Sequence, residues 1–194
     1  ELLCNATRVI GRDGRELHPL VAADLSEAEV EGRRQVREYV GFFREHVAGC
    51  GEAHLLDTGV QVGVRQTRQI VGRDTLANAD VEGGRKRADA IARSPWPIEL
   101  HSGNKPRLSW LHDDHYDVPF GCFVPQRGES ILAAGRCLSA QHEAMASARV
   151  TAQCFSYGHA MGHAAALAVR ERLGVRDLQA ADVRRLLNQD GARL

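Results

Sequence analysis

Residues 131–169 constrain the fold of this chain more than any other stretch. They pass in order through an apolar segment, a Gly-Arg turn, a polar run and a helix of small residues. Ile131, Leu132, Ala133 and Ala134 form a short apolar run that stops at Gly135, the pattern of a buried strand that needs cover on both faces. A glycine at that point lets backbone approach a ligand closely. Arg136, Cys137, Ser139, Gln141, His142 and Glu143 then bring groups that donate, accept or titrate, and Ser147 and Arg149 follow. From Ala152 the pattern turns helical, with Gly158 and Gly162 four apart among Ala160, Ala164, Ala165, Ala166 and Ala168. Small residues at that spacing allow a helix to lie close against a sheet or a cofactor. The order suits a phosphate- or flavin-binding crossover.

Upstream, residues 2–10 read as a strand, and Ser26 with Glu29 three positions on reads as a capping box for an amphipathic helix over 27–47. Residues 55–58, 60–64 and 68–72 alternate or run apolar with glycine punctuation, as short strands do. Residues 78–83 suggest a helical turn, 88–93 and 97–101 extended chain, and 102–107 a loop. A strand is expected over 116–123, bent by Pro119. Residues 178–187 are amphipathic through Leu178, Val183, Leu186 and Leu187.

The chain has 194 residues, enough for a real core, with 25 basic and 25 acidic side chains. That balance gives no field to favour nucleic acid and directs attention to a small-molecule partner. No stretch approaches the roughly 20 apolar residues of a membrane span, and no leader is evident, so a cytoplasmic protein is expected. The five cysteines, Cys4, Cys50, Cys122, Cys137 and Cys154, form no CxxC pair, which argues against disulfide, zinc and iron–sulfur frameworks.

Several blocks together carry a family resemblance. They are Asn5-x-Thr7-Arg8, Glu31-Gly32-Arg33-Arg34-Gln35, Gly63-Val64-Arg65-Gln66-Thr67-Arg68, Asp89-Ala90-Ile91-Ala92-Arg93 and Tyr116-Asp117-Val118-Pro119-Phe120. Ala134-Gly135-Arg136-Cys137-Leu138-Ser139, His142-Glu143-Ala144, Arg149-Val150 and Gly158-x-x-x-Gly162 complete the series. In this order the chain resembles the C-terminal half of the FAD-dependent oxidoreductase family, within the flavoproteins that have two dinucleotide-binding domains. The resemblance implies an α/β fold: part of an FAD/NAD(P)-binding-like fold, a mixed and partly antiparallel substrate-domain sheet, and a C-terminal helix returning to the dinucleotide-binding domain. Residues 1–54 would be a strand and amphipathic helix linking to that domain, 55–125 the substrate-domain sheet, and 126–194 the flavin-side segment with a final strand and helices. The GxGxxG turn that holds an FAD pyrophosphate is not in the sequence. The expected cofactor is FAD, shared with an N-terminal FAD-binding portion or a partner chain, and a homo-oligomer is a further expectation.

The resemblance places Arg149 near flavin or substrate, where a guanidinium could stabilise the reduced ring or bind a carboxylate. Pairing with Glu143 is the competing reading. His142 is the candidate base for the proton that accompanies hydride transfer, with Glu143 orienting it or binding a ribityl hydroxyl. Arg65 is a candidate on the substrate or flavin side. Gly135, Arg136, Cys137, Ser139, Arg149, Gly158 and Gly162 are the candidate cofactor contacts. His159 and His163 share a helix face at metal-ligand spacing but show no clear third ligand, and His112-Asp113-Asp114-His115 reads as a polar loop, so no metal is assigned. A non-catalytic interaction subunit that does not bind FAD alone is the alternative function.

Overall fold

The computed structural model describes residues 1–100 and 107–194. They divide into two compact units, Glu1–Thr67 and Arg68–Leu194.

The first unit is built on helix α1, Ala22–His46. It starts five residues before the expected 27, and the capping box is not made: Ser26 lies inside the helix and its hydroxyl donates to the Ala22 carbonyl at 2.9 Å. The start is set instead by Asp24 in the first turn. Its carboxylate takes both Arg15 terminal nitrogens at 2.7 Å and the His18 N–H at 2.9 Å, where the helix dipole also favours a negative charge. The segments flanking α1 are not strands. They are tied along it by side chains: Gln35 accepts the Arg8 N–H and donates to the Arg8 carbonyl, Tyr39 donates to Ala6, and Glu29 accepts the Val62 N–H. Ala6, Arg8 and Val62 thus give backbone groups to α1 side chains, and residues 2–10, 55–58 and 60–64 form no ladder. Of the apolar side chains in this unit only Ala28 is buried.

The second unit holds the hydrophobic core. Strand β1, Ala90–Ser94, pairs antiparallel with β4, Tyr116–Pro119, with Ser94 opposite Tyr116 and Ala92 opposite Val118. Beside it β2, Ile98–Leu100, pairs antiparallel with β3, Arg107–Ser109. The loop expected over 102–107 thus lies, up to Arg107, outside the described residues. Pro119 ends β4, and the chain turns into a 3-10 helix over Phe120–Phe123, so the strand expected over 116–123 stops halfway. Helices α2, Asn78–Glu82, and α3, His142–Ala148, precede the long α4, Thr151–Glu171, and α5, Ala180–Gln189. Helices α4 and α5 cover β1 with Tyr157, Ala160, Ala164, Leu167, Val183 and Leu187.

Residues 131–134 are not the expected strand. Ala133 is buried and its N–H reaches the Phe123 carbonyl at 2.9 Å, but Ile131 and Ala134 are exposed and no ladder flanks them. Residues 68–72 contribute a single bridge, Gly72 to Pro125. The described sheets are therefore small and antiparallel, and the parallel pairing is confined to one bridge, Leu76 to Ala140.

A buried polar chain ties α3 and α4 to the sheets. Ser147 Oγ donates to the Trp96 carbonyl at 2.7 Å and accepts from the Tyr116 hydroxyl at 2.7 Å, while Gln153 Nε2 donates to Ser94 Oγ at 2.7 Å. Ser147→Ala removes the middle of this chain and should cost about 1–3 kcal/mol, read from urea unfolding of the second unit. Asp24 gives a pH signature for the first. Hydrogen bonds from Arg15, and then from His18, hold its carboxyl well below the usual carboxylate range. The unfolded chain therefore takes up the proton more readily, so the stability from Asp24 is complete above the ordinary carboxylate pKa of about 4 and is lost as pH falls below it. Acid titration followed by α1 helicity should show this loss in the parent and a flatter profile in Asp24→Asn.

Candidate functional site

Residues 137–141 lie at the centre of the second unit, hydrogen-bonded on both sides. Ile70 N–H donates to the Cys137 carbonyl, Leu76 N–H to the Ser139 carbonyl and Gln141 N–H to the Leu76 carbonyl, while Ser139 N–H donates to the Cys122 carbonyl. Leu138 between them is fully buried. The segment enters through a turn closed by the Leu138 N–H on the Gly135 carbonyl at 3.2 Å. Gly135 sits at φ +80°, a backbone region that favours glycine.

This turn faces the beginning of α4. A Cβ on Gly135 would lie 3.9 Å from Cys154 Sγ. Cys154 Sγ in turn donates to the Arg149 carbonyl at 3.4 Å, and Cys137 Sγ to the Ala134 carbonyl at 3.2 Å. Burial pushes the Cys154 thiol up; the Arg136 charge opposes this and Cys137 adds to it. Gly135 and the Arg149 carbonyl are therefore neighbours of the Cys154 thiol, and Arg136 and Cys137 lie near enough to act on it electrostatically. Val150, the residue before α4, has no side-chain oxygen, so no side chain caps the first turn and its N–H groups carry the positive end of a 21-residue helix.

Helix α3 separates the remaining candidates. His142 opens it, exposed, with Glu143 next, and Arg149 closes it. Seven residues of helix rise about 10 Å, so His142 and Arg149 stand at opposite ends. The start of α3 is set by a reciprocal cap. Asn78 Oδ1 accepts the Ala144 N–H at 2.9 Å, and Gln141 Oε1 accepts the Asn78 N–H at 2.8 Å.

Ser139 is buried, and its hydroxyl bonds to Thr75 at 2.9 Å. Arg65 is exposed and belongs to the first unit. Gly158 and Gly162 lie on an exposed face of α4, where a Cβ on either would meet nothing within 4 Å. Phe155 and Val169 extend that face, 76% and 80% exposed. In the loop His112-Asp113-Asp114-His115, Asp114 is taken by Lys86 Nζ at 2.7 Å, which holds its carboxyl below the usual range.

Asn78, Thr75 and Cys154 were not among the sequence candidates. Asn78 and Thr75 meet their partners Ala144 and Ser139 across more than sixty residues, and only the Asn at the head of a helical turn carries a local signal. The shallow cavity of about 500 Å3 lined by Ala88, Ala181, Arg184, Arg185, Asn188 and Gln189 contains none of the candidates.

Mixed helices and small antiparallel sheets place the chain in the α/β class. The profile of the FAD dependent oxidoreductase family matches residues 2–187, and the chain belongs to that family. No curated protein and no solved structure matches it. No described helix is long and apolar enough to cross a membrane.

The two kinds of glycine separate by substitution. Gly135→Ala should lower stability by about 1–2 kcal/mol through its left-handed backbone alone, since its nearest contact is an ordinary one. Gly158→Ala, in open helix, should raise stability by about 0.5–1 kcal/mol. Thermal unfolding of the two variants beside the parent checks both signs.

Proposed function

We propose that this chain is the C-terminal, substrate-domain-bearing portion of an FAD-dependent oxidoreductase that moves hydride between a small-molecule substrate and the flavin. The observation that carries this reading is the Gly135 turn set against the uncapped start of α4, within a chain matched by the family profile over residues 2–187. A positive-φ glycine gives close backbone approach, an exposed Arg136 offers an anion partner, and the first turn of α4 favours negative charge. The open face at Gly158 and Gly162 leaves room for a planar group beside the helix. These features fit the ring and ribityl end of FAD. The pyrophosphate end needs a glycine-rich turn, which the sequence lacks, and is assigned to an N-terminal portion or a partner chain.

When bound, FAD supplies hydride acceptance or donation. Gly135, Arg136, Cys137, Gly158 and Gly162 would line its path, and Ser139 would hold the turn through Thr75 and the Leu76 and Cys122 backbone. His142 takes up the proton released by the substrate, with Glu143 setting the imidazole. Arg149, at the other end of α3, holds an anionic group with a geometry that lysine does not reproduce.

The visible spectrum after FAD addition, followed through gel filtration, tests the reading. Flavin absorbance near ~450 nm should travel with the chain once the N-terminal portion is supplied, and His142→Ala should slow flavin reduction by about 100-fold or more. A preparation that stays colourless with that portion present would refute flavin binding and leave an interaction subunit. Unchanged reduction rates in both His142→Ala and Arg149→Lys would remove their assigned roles.

A further inference from the structure

Helices α4 and α5 bring together three donors that no part of the flavin reading uses. His159 and His163 are four apart on α4, and their Nε2 atoms point at each other across 3.1 Å. Asp190, at the C-terminal cap of α5, places Oδ2 2.7 Å from His163 Nε2 and 3.1 Å from His159 Nε2. This carboxylate is the third ligand that the helix spacing alone does not show.

The separations are informative. A single ion pair needs one imidazole and one carboxylate, yet here two imidazole nitrogens and one oxygen form a closed triangle. Bonds of about 2.0–2.2 Å to one ion put neighbouring ligand atoms roughly 3 Å apart, which is the spacing found. The cluster is half exposed, with side-chain exposures of 46%, 23% and 49%, so hydrated cations reach it and water can complete the coordination. Two imidazoles with one carboxylate select a divalent transition ion over magnesium or calcium, which prefer all-oxygen sites. Among the described residues no other group of three such side chains converges.

We propose that His159, His163 and Asp190 form a binding site for a divalent transition cation of the zinc type, clamping the middle of α4 to the end of α5. The ion bridges two helices that otherwise meet through apolar contacts, so its effect is to hold α4 against α5. The proposal requires neither flavin nor turnover, and it stands or falls separately from the oxidoreductase reading.

Zinc chloride titrated calorimetrically into the intact chain at neutral pH is the test, run beside His159→Ala, His163→Ala and Asp190→Ala. All three replace exposed or half-exposed side chains, and circular dichroism confirms that each variant is folded. The expected result is one zinc per chain and an upward shift of the thermal transition of the second unit in the parent, with affinity reduced at least about tenfold in each variant, since loss of even an outer-shell partner costs that much. A double variant of the rival loop, His112→Ala with His115→Ala, should bind zinc as the parent does. The proposal is overturned if the parent takes up no zinc, or if its affinity survives in the three variants, which would assign the zinc to thiols or to the loop.

Discussion

A buried backbone must find partners for its N–H and C=O groups, and in this protein that requirement acts most strongly on residues 137–141. The segment is flanked on one side by 70–76, which takes three of its backbone bonds, and on the other by Cys122, whose carbonyl accepts the Ser139 N–H. Leu138 fills the core at the same point. The Gly135 turn leads into this ply and α3 leads out of it, so the positions of Arg136, Cys137, His142 and Arg149 all follow from its register. Residues that read as chemical in the sequence are in this sense first structural: Ser139 and Gln141 spend their side chains on Thr75 and Asn78.

That dual use explains how the site is arranged. The reciprocal cap between Asn78 and Gln141 fixes the N-terminal end of α3, where His142 and Glu143 begin. The Cys154 thiol, touching the Arg149 carbonyl and facing Gly135, fixes the other end. A short helix with both ends pinned keeps His142 and Arg149 at constant separation. Arg87 ties the chain at 74 to that at 89 by bonding Asp74 at 2.5 Å and Asp89 at 3.0 Å.

The sequence made some of this legible and concealed the rest for physical reasons. Small residues at helical spacing announced α4, and the apolar period of Leu178, Val183 and Leu187 announced α5, because in both cases burial follows the period. Gly135 was readable as a turn. The strands expected over 55–72 were not, since alternation marks a strand only where another segment supplies a ladder. Here Glu29 of α1 takes the Val62 N–H instead. The beginning of α1 is concealed because Ser26 has the right spacing for a cap, whereas the carboxylate that anchors the start is Asp24, through Arg15 nine residues earlier. Contacts such as Asn78 with Ala144, or Asp190 with His163, join positions far apart in the chain and leave no local pattern to read.

The poverty of buried apolar surface in the first unit has a calorimetric consequence. Heat-capacity change on unfolding follows the apolar area exposed, and a unit in which Ala28 is the buried hydrophobic residue has little to expose. Its loss of structure on heating is then a shallow enthalpic slope governed by hydrogen bonds and ion pairs, and the sharp peak belongs to residues 68–194. A single melting temperature does not describe a chain of this kind, because its two units lose order by different physical terms.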